Sequence, residues 1–478
     1  MRGYFLPAFF CCFLSLLLLV GYEAIYPYVP ALQAFESPHF WSAYAVKPKT
    51  EQKLLVDDST AVLEDLESFE QDSLEADSLS NDSSRIAYNI KYNVKAAKLP
   101  DNIDNYNGLE NLNSFFSKLQ ELREGKIKKV RVAYFGDSTT ESDMIVSDLR
   151  TMLQMVFGGS GVGFVSVAPL GARGRRSILH RPSSNWSVVS YFRENKNADF
   201  PFGISGDYAT AAKNSMDRSH KIGFQGYGNF SNVYLYYGRG KSENYPDIMQ
   251  YNAASDSVLV MLEGKEFLNR TELNAKNTKS IDLFFNFPEP FPIYGLSFES
   301  DNGIIVDNLA KRSDSGSNFG RISREMLSSF NKYMEYDLVV LHFGANVLSD
   351  GVLNYGYYEK ILISTVRHFK ESMGDVPVLI IGSTDRVVKI EGEGKTSQAV
   401  YGLTNAQKRA AAIGNSAYFD LFTAMGGEGS MLNWAKSSPP KAAPDYVHLS
   451  GAGAKQVAVY IFDYLSEGYK TLTSQPFK

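Results

Sequence analysis

Cysteine is almost missing from this 478-residue chain: only Cys11 and Cys12 occur, adjacent and inside the first apolar run. Two neighbouring thiols there cannot staple a folded domain, so no structural disulfide, Cys-ligated zinc or cysteine nucleophile is available beyond that run. Histidine is scarce as well, and any mechanism that needs an imidazole must choose among His39, His180, His220, His342, His368 and His448. A basic excess is absent. The net charge of -5 separates the chain from the basic domains that bind nucleic acid. No internal repeat is visible. No Gly-x-Ser-x-Gly occurs, which argues against a nucleophile elbow of the α/β-hydrolase kind. What the chain does have is 44% hydrophobic and 13% aromatic residues, ample for burying cores, so it is neither wholly disordered nor collagen-like. Its length predicts two or more folded units.

Residues 4–21 are apolar apart from Ser15 and follow a single positive residue, Arg2. A run of about 18 residues is at the lower end of what crosses a bilayer as a helix. Gly21-Tyr22-Glu23-Ala24 fits a small-residue cleavage site poorly, so an uncleaved anchor is favoured over a cleaved signal peptide. With that short positive flank in the cytoplasm, everything after it is exported. Between Glu51 and Arg85 eleven acids face only Lys53 and Arg85, the composition of a solvated tether. That stretch alone carries about -9, leaving the remainder of the chain slightly basic.

The folded part opens with Leu109, Leu112, Phe115, Phe116, Leu119 and Leu122 at helical spacing. A strand over 130–135 runs directly into Gly136-Asp137-Ser138-Thr139-Thr140. A helix follows, with Ile145, Leu149, Met152, Leu153 and Val156 on one face. Apolar strands at 338–343 and 376–381 lead into Gly344-Ala345-Asn346 and Gly382-Ser383-Thr384-Asp385. Near the C-terminus Asp445-Tyr446-Val447-His448 precedes a helix with Ala454, Val457, Ala458, Ile461 and Leu465 inward. Strand ends and loop-to-helix junctions are where open α/β sheets carry their sites.

Those residues suit acyl transfer. A serine hydroxyl needs a neighbouring base, and His448 is placed to take the Ser138 proton, with Asp445 holding the imidazole Nδ1-H. The Ser138 backbone N-H and the Asn346 side-chain amide are candidate donors to a developing oxyanion. Taken singly, each has a plainer reading. Gly-Asp-Ser is a common turn, Asn346 alone fits a loop residue bonding its own backbone, and a lone His near a helix start is usually surface. Their conjunction, in consistent topological positions and in this order, is what points to a site.

In that order the chain resembles the SGNH (GDSL-type) hydrolase superfamily. Ser138 matches its first block, Asn346 its third, and Asp445 with His448 its fifth. The second block normally supplies a glycine whose N-H joins the oxyanion hole. The best match, from Val306 to Gly316, puts Ser313 at that place, with Gly316 as a fallback. A serine keeps the N-H and gives up glycine's φ/ψ freedom. The third block reads Gly-Ala-Asn-Val where an acidic residue often follows the Asn. The 157–164 segment, Arg173 to His180, Asn185-Trp186, Asp199-Phe200-Pro201-Phe202-Gly203, 406–410, Phe419-Asp420-Leu421 and 424–427 narrow the resemblance. They are similar to two-domain exported members that include peptidoglycan O-acetylesterases, in which a β-rich, carbohydrate-binding-like jelly roll is inserted between the first and second blocks. Short β-branched and aromatic runs at 233–237, 258–262, 281–287 and 293–298 read as all-β in their own right. Arg173, Arg175, Arg176 and Arg181 form a basic cluster that suits either an anionic glycan or a solvated face. Gly159-x-Gly161-x-Gly163 lacks a Lys-Ser/Thr ending and follows a helix, so it is not read as a phosphate loop.

The resemblance therefore implies an α/β, flavodoxin-like three-layer domain with an inserted all-β jelly-roll-like domain. The expected division is an anchor or signal peptide at 1–22, a tether at 23–100, catalytic parts at 101–175 and 301–478, and the β-sandwich at 176–300. The expected activity is removal of O-acetyl groups from a cell-envelope or extracellular polysaccharide, peptidoglycan first, through an acetyl-serine and without metal or cofactor. Catalytic roles fall to Ser138, Asp445 and His448, and oxyanion roles to Ser138, Ser313 and Asn346. Two alternatives stay open: an O-acetyltransferase partnered by a membrane-bound O-acyltransferase, and a noncatalytic glycan-binding envelope protein.

Overall fold

The computed structural model describes residues 99–100, 102–169, 175–192, 198–211, 219–252, 257–390 and 392–477. The expected anchor, nearly all of the acidic tether, and Arg173 lie outside the described residues. Among the described residues no helix is long and apolar enough to cross a membrane.

The chain begins with α1 (Asn113–Arg123), β1 (Lys129–Gly136), α2 (Ser138–Glu141) and α3 (Met144–Phe157). A run of strands follows: β2 (Gly163–Ser166), β3 (Ile178–Pro182), β4 (Trp186–Ser190), β5 (Asp207–Ala211), β6 (Ser219–Gly226) and β7 (Asn232–Gly238). It continues through β8 (Asp247–Asn252), β9 (Ser257–Met261), β10 (Leu268–Leu273), β11 (Ser280–Asn286) and β12 (Ile293–Glu299). Alternation resumes with β13 (Gly303–Asn308), α4 (Arg324–Met334), β14 (Leu338–His342), α5 (Gly356–Ser372) and β15 (Val378–Ile381). A hairpin of β16 (Val387–Ile390) and β17 (Glu393–Thr396) precedes α6 (Ala399–Ile413) and β18 (Ala417–Phe419). Then come α7 (Leu421–Ala424), α8 (Ser430–Lys436) and the long α9 (Gly451–Thr473).

Five strands form one parallel sheet in the order β13-β1-β14-β15-β18. In chain order this is 2-1-3-4-5, the flavodoxin-like arrangement, whose switch point lies between β1 and β14. Both faces are covered, which is why these strands read as continuous apolar runs. Val130, Val132 and Tyr134 of β1 pack with α1, α3 and α9 on one side. Ala133 and Phe135 pack with α4, α5 and α6 on the other. Alternate residues of one strand thus serve two cores.

The antiparallel strands make two further sheets, β10-β7-β12-β5-β4 with β2 beside β12, and β3-β6-β11-β8-β9. Ile222, Phe224, Ile281, Leu283 and Phe285 of the second meet Val165, Val233, Leu235, Leu296 and Phe298 of the first. The first sheet also packs on its other face, where Phe164, Tyr236 and Tyr294 contact Phe330 of α4 with ring centroids 5.7–6.0 Å apart. The antiparallel part starts at β2, ahead of residue 176, where the sequence put the division. The glycine run before β2 explains this: a Cβ on Gly161 would stand 2.3 Å from Phe298 O, so the segment threads against the backbone of β12.

A buried ion-pair network ties the two kinds of sheet together. Arg131, on β1, donates from Nε and Nη2 to Asp307 of β13 at 2.7 and 3.0 Å, from Nη1 to Glu299 of β12 at 2.7 Å, and from Nη2 to Ser297 Oγ at 2.7 Å. Asp307 also accepts from Phe164 N-H at 2.7 Å and Tyr336 O-H at 2.6 Å, and Lys129 reaches Glu299 at 2.9 Å. Burial raises the Glu299 carboxyl, and Arg131 and Lys129 more than offset it, bringing it down from 4.5 to about 2. A depressed carboxylate contributes stability above its unfolded pKa and loses it as pH falls through the folded one. Glu299→Gln is therefore expected to lower unfolding free energy by about 3 kcal/mol at neutral pH. In urea titrations across pH, that difference from the parent should shrink between pH 4.5 and about 2.

Candidate functional site

The turn after β1 is built by Asp137. Its carboxylate caps α2, accepting from Thr139 N-H at 2.9 Å and Thr139 Oγ1 at 2.7 Å, while the N-H groups of Gly344 and Ala345 after β14 also face it. Burial raises the Asp137 carboxyl and these donors pull it back. Ser138 becomes the first residue of a four-residue helix at the switch point of the sheet, partly exposed, with its N-H in the unpaired first turn.

The end of β13 and the loop after it are fastened to β1 and that helix at three points. Asn308 Nδ2 donates to Thr140 O at 2.8 Å, Lys311 N-H to Gly136 O at 2.9 Å, and Arg312 pairs with Glu141 at 3.1 Å. Ser313 follows with φ of 65°, a left-handed conformation for a residue that has a Cβ. Asn346 Nδ2 donates to Asp314 O at 3.1 Å, which orients the amide and leaves its second N-H unspent by that bond. Ser138, Ser313 and Asn346 are thereby drawn together by hydrogen bonds among their own loops. Gly316, the fallback position, is buried with its N-H on Asp314 Oδ1 at 2.8 Å. That N-H is committed to the loop.

Asp445 and His448 form the second half. His448 Nδ1 lies 2.7 Å from Asp445 Oδ2, and the N-H groups of Val447 and His448 donate to Asp445 Oδ1 at 3.0 Å each. Burial raises the Asp445 carboxyl, and the bonds from His448 and Val447 hold it below the ordinary carboxylate range. The pair sits just before α9, whose start is capped by Ser450 Oγ accepting from Gly453 N-H. A Cβ on Gly453 would stand 1.8 Å from Lys441 O, so only glycine permits this helix to press against the 441 strand of the loop. His448 is the one exposed histidine among the described residues. His180 and His342 are buried and pushed down to about 3 by desolvation, and His368 Nε2 donates to Ile322 O at 2.8 Å.

No hydrogen bond joins Ser138 to His448 among the described residues; catalytic bonds of this kind are often open without substrate. Among the described residues Arg176 lies near both halves without bonding to Ser138, Asp445 or His448. Its N-H donates to Ser142 O, just past α2, at 3.4 Å, and its Nη2 lies 3.1 Å from where a Cβ of Gly451 would stand.

Several supporting residues had no role assigned from the sequence. Asp143, fully buried at φ 63°, accepts from Arg150 at 2.9 and 3.2 Å, from Asn308 at 3.0 Å and from Ser177. Arg175 Nε stands 3.9 Å from the same carboxylate. Arg175 is thus turned inward, which corrects its reading as one of a basic surface cluster; a buried Asp with one Arg attracts a second donor. Asp314 accepts from Tyr191 O-H at 2.6 Å, and burial raises its carboxyl to about 6. The left-handed φ of Asp143 was not legible in Asp; the Asp137 cap was, as the residue before Ser in a strand-turn-helix. Among the described residues no cluster of His, Cys, Asp or Glu could hold a metal ion.

No protein-family model matches the chain, and no curated protein does. Solved structures do. One described as "Peptidoglycan O-acetylesterase in action, 5 min" superposes with a TM-score of 0.61 at 21% identity, covering 77% of this chain and 98% of that one. A family two carbohydrate esterase from Cellvibrio japonicus gives 0.25 at 7% identity over 62% and 99%. A GDSL-like lipase from Parabacteroides merdae gives 0.25 at 12% over 37% and 74%. The last two overlap too loosely to weigh. The first shows that the two chains share a fold.

At position 313 the left-handed backbone costs a side-chain-bearing residue about 1–2 kcal/mol. Ser313→Gly recovers that strain and loses about 0.5–1 kcal/mol to backbone entropy, so urea unfolding should place it within about 1 kcal/mol of the parent. Ser313→Val, β-branched at positive φ, should lower stability by about 2 kcal/mol. Equal losses for both variants would mean the loop tolerates no change there at all.

Proposed function

We propose that the chain is an exported serine esterase that removes O-acetyl groups from a cell-envelope or extracellular polysaccharide, with peptidoglycan the first candidate. The observation that carries this reading is the Asp445–His448 pair, Nδ1 to Oδ2 at 2.7 Å, taken together with a first-turn serine at the switch point of a flavodoxin-like sheet. The fold likeness at 0.61 supports it, since that structure is a peptidoglycan O-acetylesterase.

In this reading Ser138 Oγ attacks the acetyl carbonyl while His448 takes its proton, and Asp445 stabilises the imidazolium. The oxyanion is held by the N-H groups of Ser138 and Ser313 and by the Asn346 amide. Collapse expels the sugar alkoxide, which receives the proton from His448 and leaves an acetyl-serine. Water, deprotonated by His448, then adds to the acetyl carbonyl, and acetate departs as the proton returns to Ser138. Neither step calls on a metal or an organic cofactor. The antiparallel sheets between β1 and β13 are read as a carbohydrate-binding-like insert, and residues 1–22 as an anchor or signal that places the enzyme outside the cytoplasm.

Acetate release from p-nitrophenyl acetate and from O-acetylated peptidoglycan, xylan and sialoglycans tests this. Ser138→Ala and His448→Ala are each expected to lower turnover by at least about 10³-fold. A parent protein that releases no acetate from any of these esters would overturn the esterase reading. Acceleration by an added sugar acceptor, with acetylated sugar as product, would reassign the site to transfer.

A further inference from the structure

A cleft of about 400 Å³ lies outside the catalytic residues, between α3 and the loop that joins β6 to β7. That volume is within the range of clefts that hold small ligands. One wall is polar: Ser147, Thr151 and Gln154 recur along α3 at helical spacing, so they share a face. Gln154 is fixed there by bonds from Nε2 to Gly161 O at 3.2 Å and Ile304 O at 3.3 Å. The opposite lip carries Tyr227, 80% exposed, and exposed Asn229. A phenol ring held out in solvent on a loop whose neighbour Phe230 is buried presents a rigid flat face at low entropic cost.

Arg176 also lines this cleft, and it is exposed. Its main chain is bonded to Ser142, next to the Ser138 helix, and its guanidinium lies against Gly451, three residues past His448. Among the described residues it makes no ion pair. Glu299, the acid lining the cleft, is already engaged by Arg131 and Lys129. The cleft therefore adjoins the catalytic junction and offers a cation without an internal partner, an aromatic face and a row of hydroxyl and amide groups.

We propose that this cleft is a glycan subsite that holds a carboxylate-bearing sugar of the polymer next to the acetylated one, with Arg176 reading the carboxylate and Tyr227 stacking on the ring. The proposal rests on the esterase reading only for the identity of the neighbouring acetylated sugar. A guanidinium suits this task because its fork pairs with both carboxylate oxygens. A ring carboxylate of a uronic acid and a lactyl ether carboxylate present the same chemistry to it.

Binding separates this from catalysis. The full chain carrying Ser138→Ala is titrated calorimetrically with an oligouronide, with an oligosaccharide bearing lactyl ethers, and with the carboxyl-reduced form of each. At least one charged probe should bind, and its reduced form should bind about 10- to 100-fold more weakly, the range of a hydrogen bond to a charged group. Adding Arg176→Gln should erase that difference, and Tyr227→Ala should weaken charged and reduced probes alike. Whichever probe binds identifies the carboxylate's source. In the catalytically intact chain, Arg176→Gln should raise KM for the polymer about 10-fold or more and leave p-nitrophenyl acetate turnover unchanged. Equal binding of charged and reduced probes, binding of neither, or equal loss on polymer and small ester in Arg176→Gln would overturn the proposal. Binding without any acetate release would fell the esterase reading and leave the cleft standing.

Discussion

One buried guanidinium holds the architecture together. Arg131 sits near the start of β1, at a position where its neighbours are apolar, and its donors reach β12 and β13 at once. A charge in that place is tolerable only with full pairing, and Asp307 and Glu299 supply it. Asp307 then passes the constraint on, receiving the backbone of β2 and the Tyr336 hydroxyl. Both sheet types are therefore indexed to the same side chain. The register of β13 against β1 also sets where the Asn308 to Ser313 loop begins, so the candidate site inherits its placement from this network.

The site itself is assembled by side chains bonding backbone at strand ends. Asp137, Asn308 and Asn346 each satisfy main-chain groups of a different loop, and together they fix loops that no sheet bond reaches. Gln407 does the same beneath them, donating to Phe343 O at 2.7 Å and accepting from Ser383 N-H at 3.0 Å. Asp137 and Asp314 are both buried; burial raises both carboxyls, and the charge of Asp137 adds a smaller rise at Asp314. Such groups persist because their hydrogen bonds offset part of the cost of desolvation.

Much of the parallel sheet was legible from local pattern. Continuous apolar runs ending in Gly-Asp-Ser, Gly-Ala-Asn and Gly-Ser-Thr-Asp became β1, β14 and β15, because strands covered on both faces have no polar alternation to hide them. The helices α1, α3 and α9 followed their apolar spacing for the same reason. Strand order and pairing were not legible, since periodicity says nothing of neighbours, and only the family resemblance supplied an expectation. β2 escaped notice because it is four residues long and opens on glycine. Arg175 was misread because composition cannot tell an arginine that meets water from one drawn to a buried Asp143. The Asp445–His448 contact, by contrast, follows from three-residue spacing in one loop and needs no tertiary knowledge.

The sheet β10-β7-β12-β5-β4 is covered over much of both faces: one side packs into the sandwich core, and the other meets Phe330 and Met334 of α4. A module attached in this way is not exchangeable. Excising it would strip Phe164, Tyr236 and Tyr294 from α4 and leave Arg131 and Asp307 short of partners. The antiparallel sheets and the parallel sheet are then expected to open as one cooperative unit in native-state exchange.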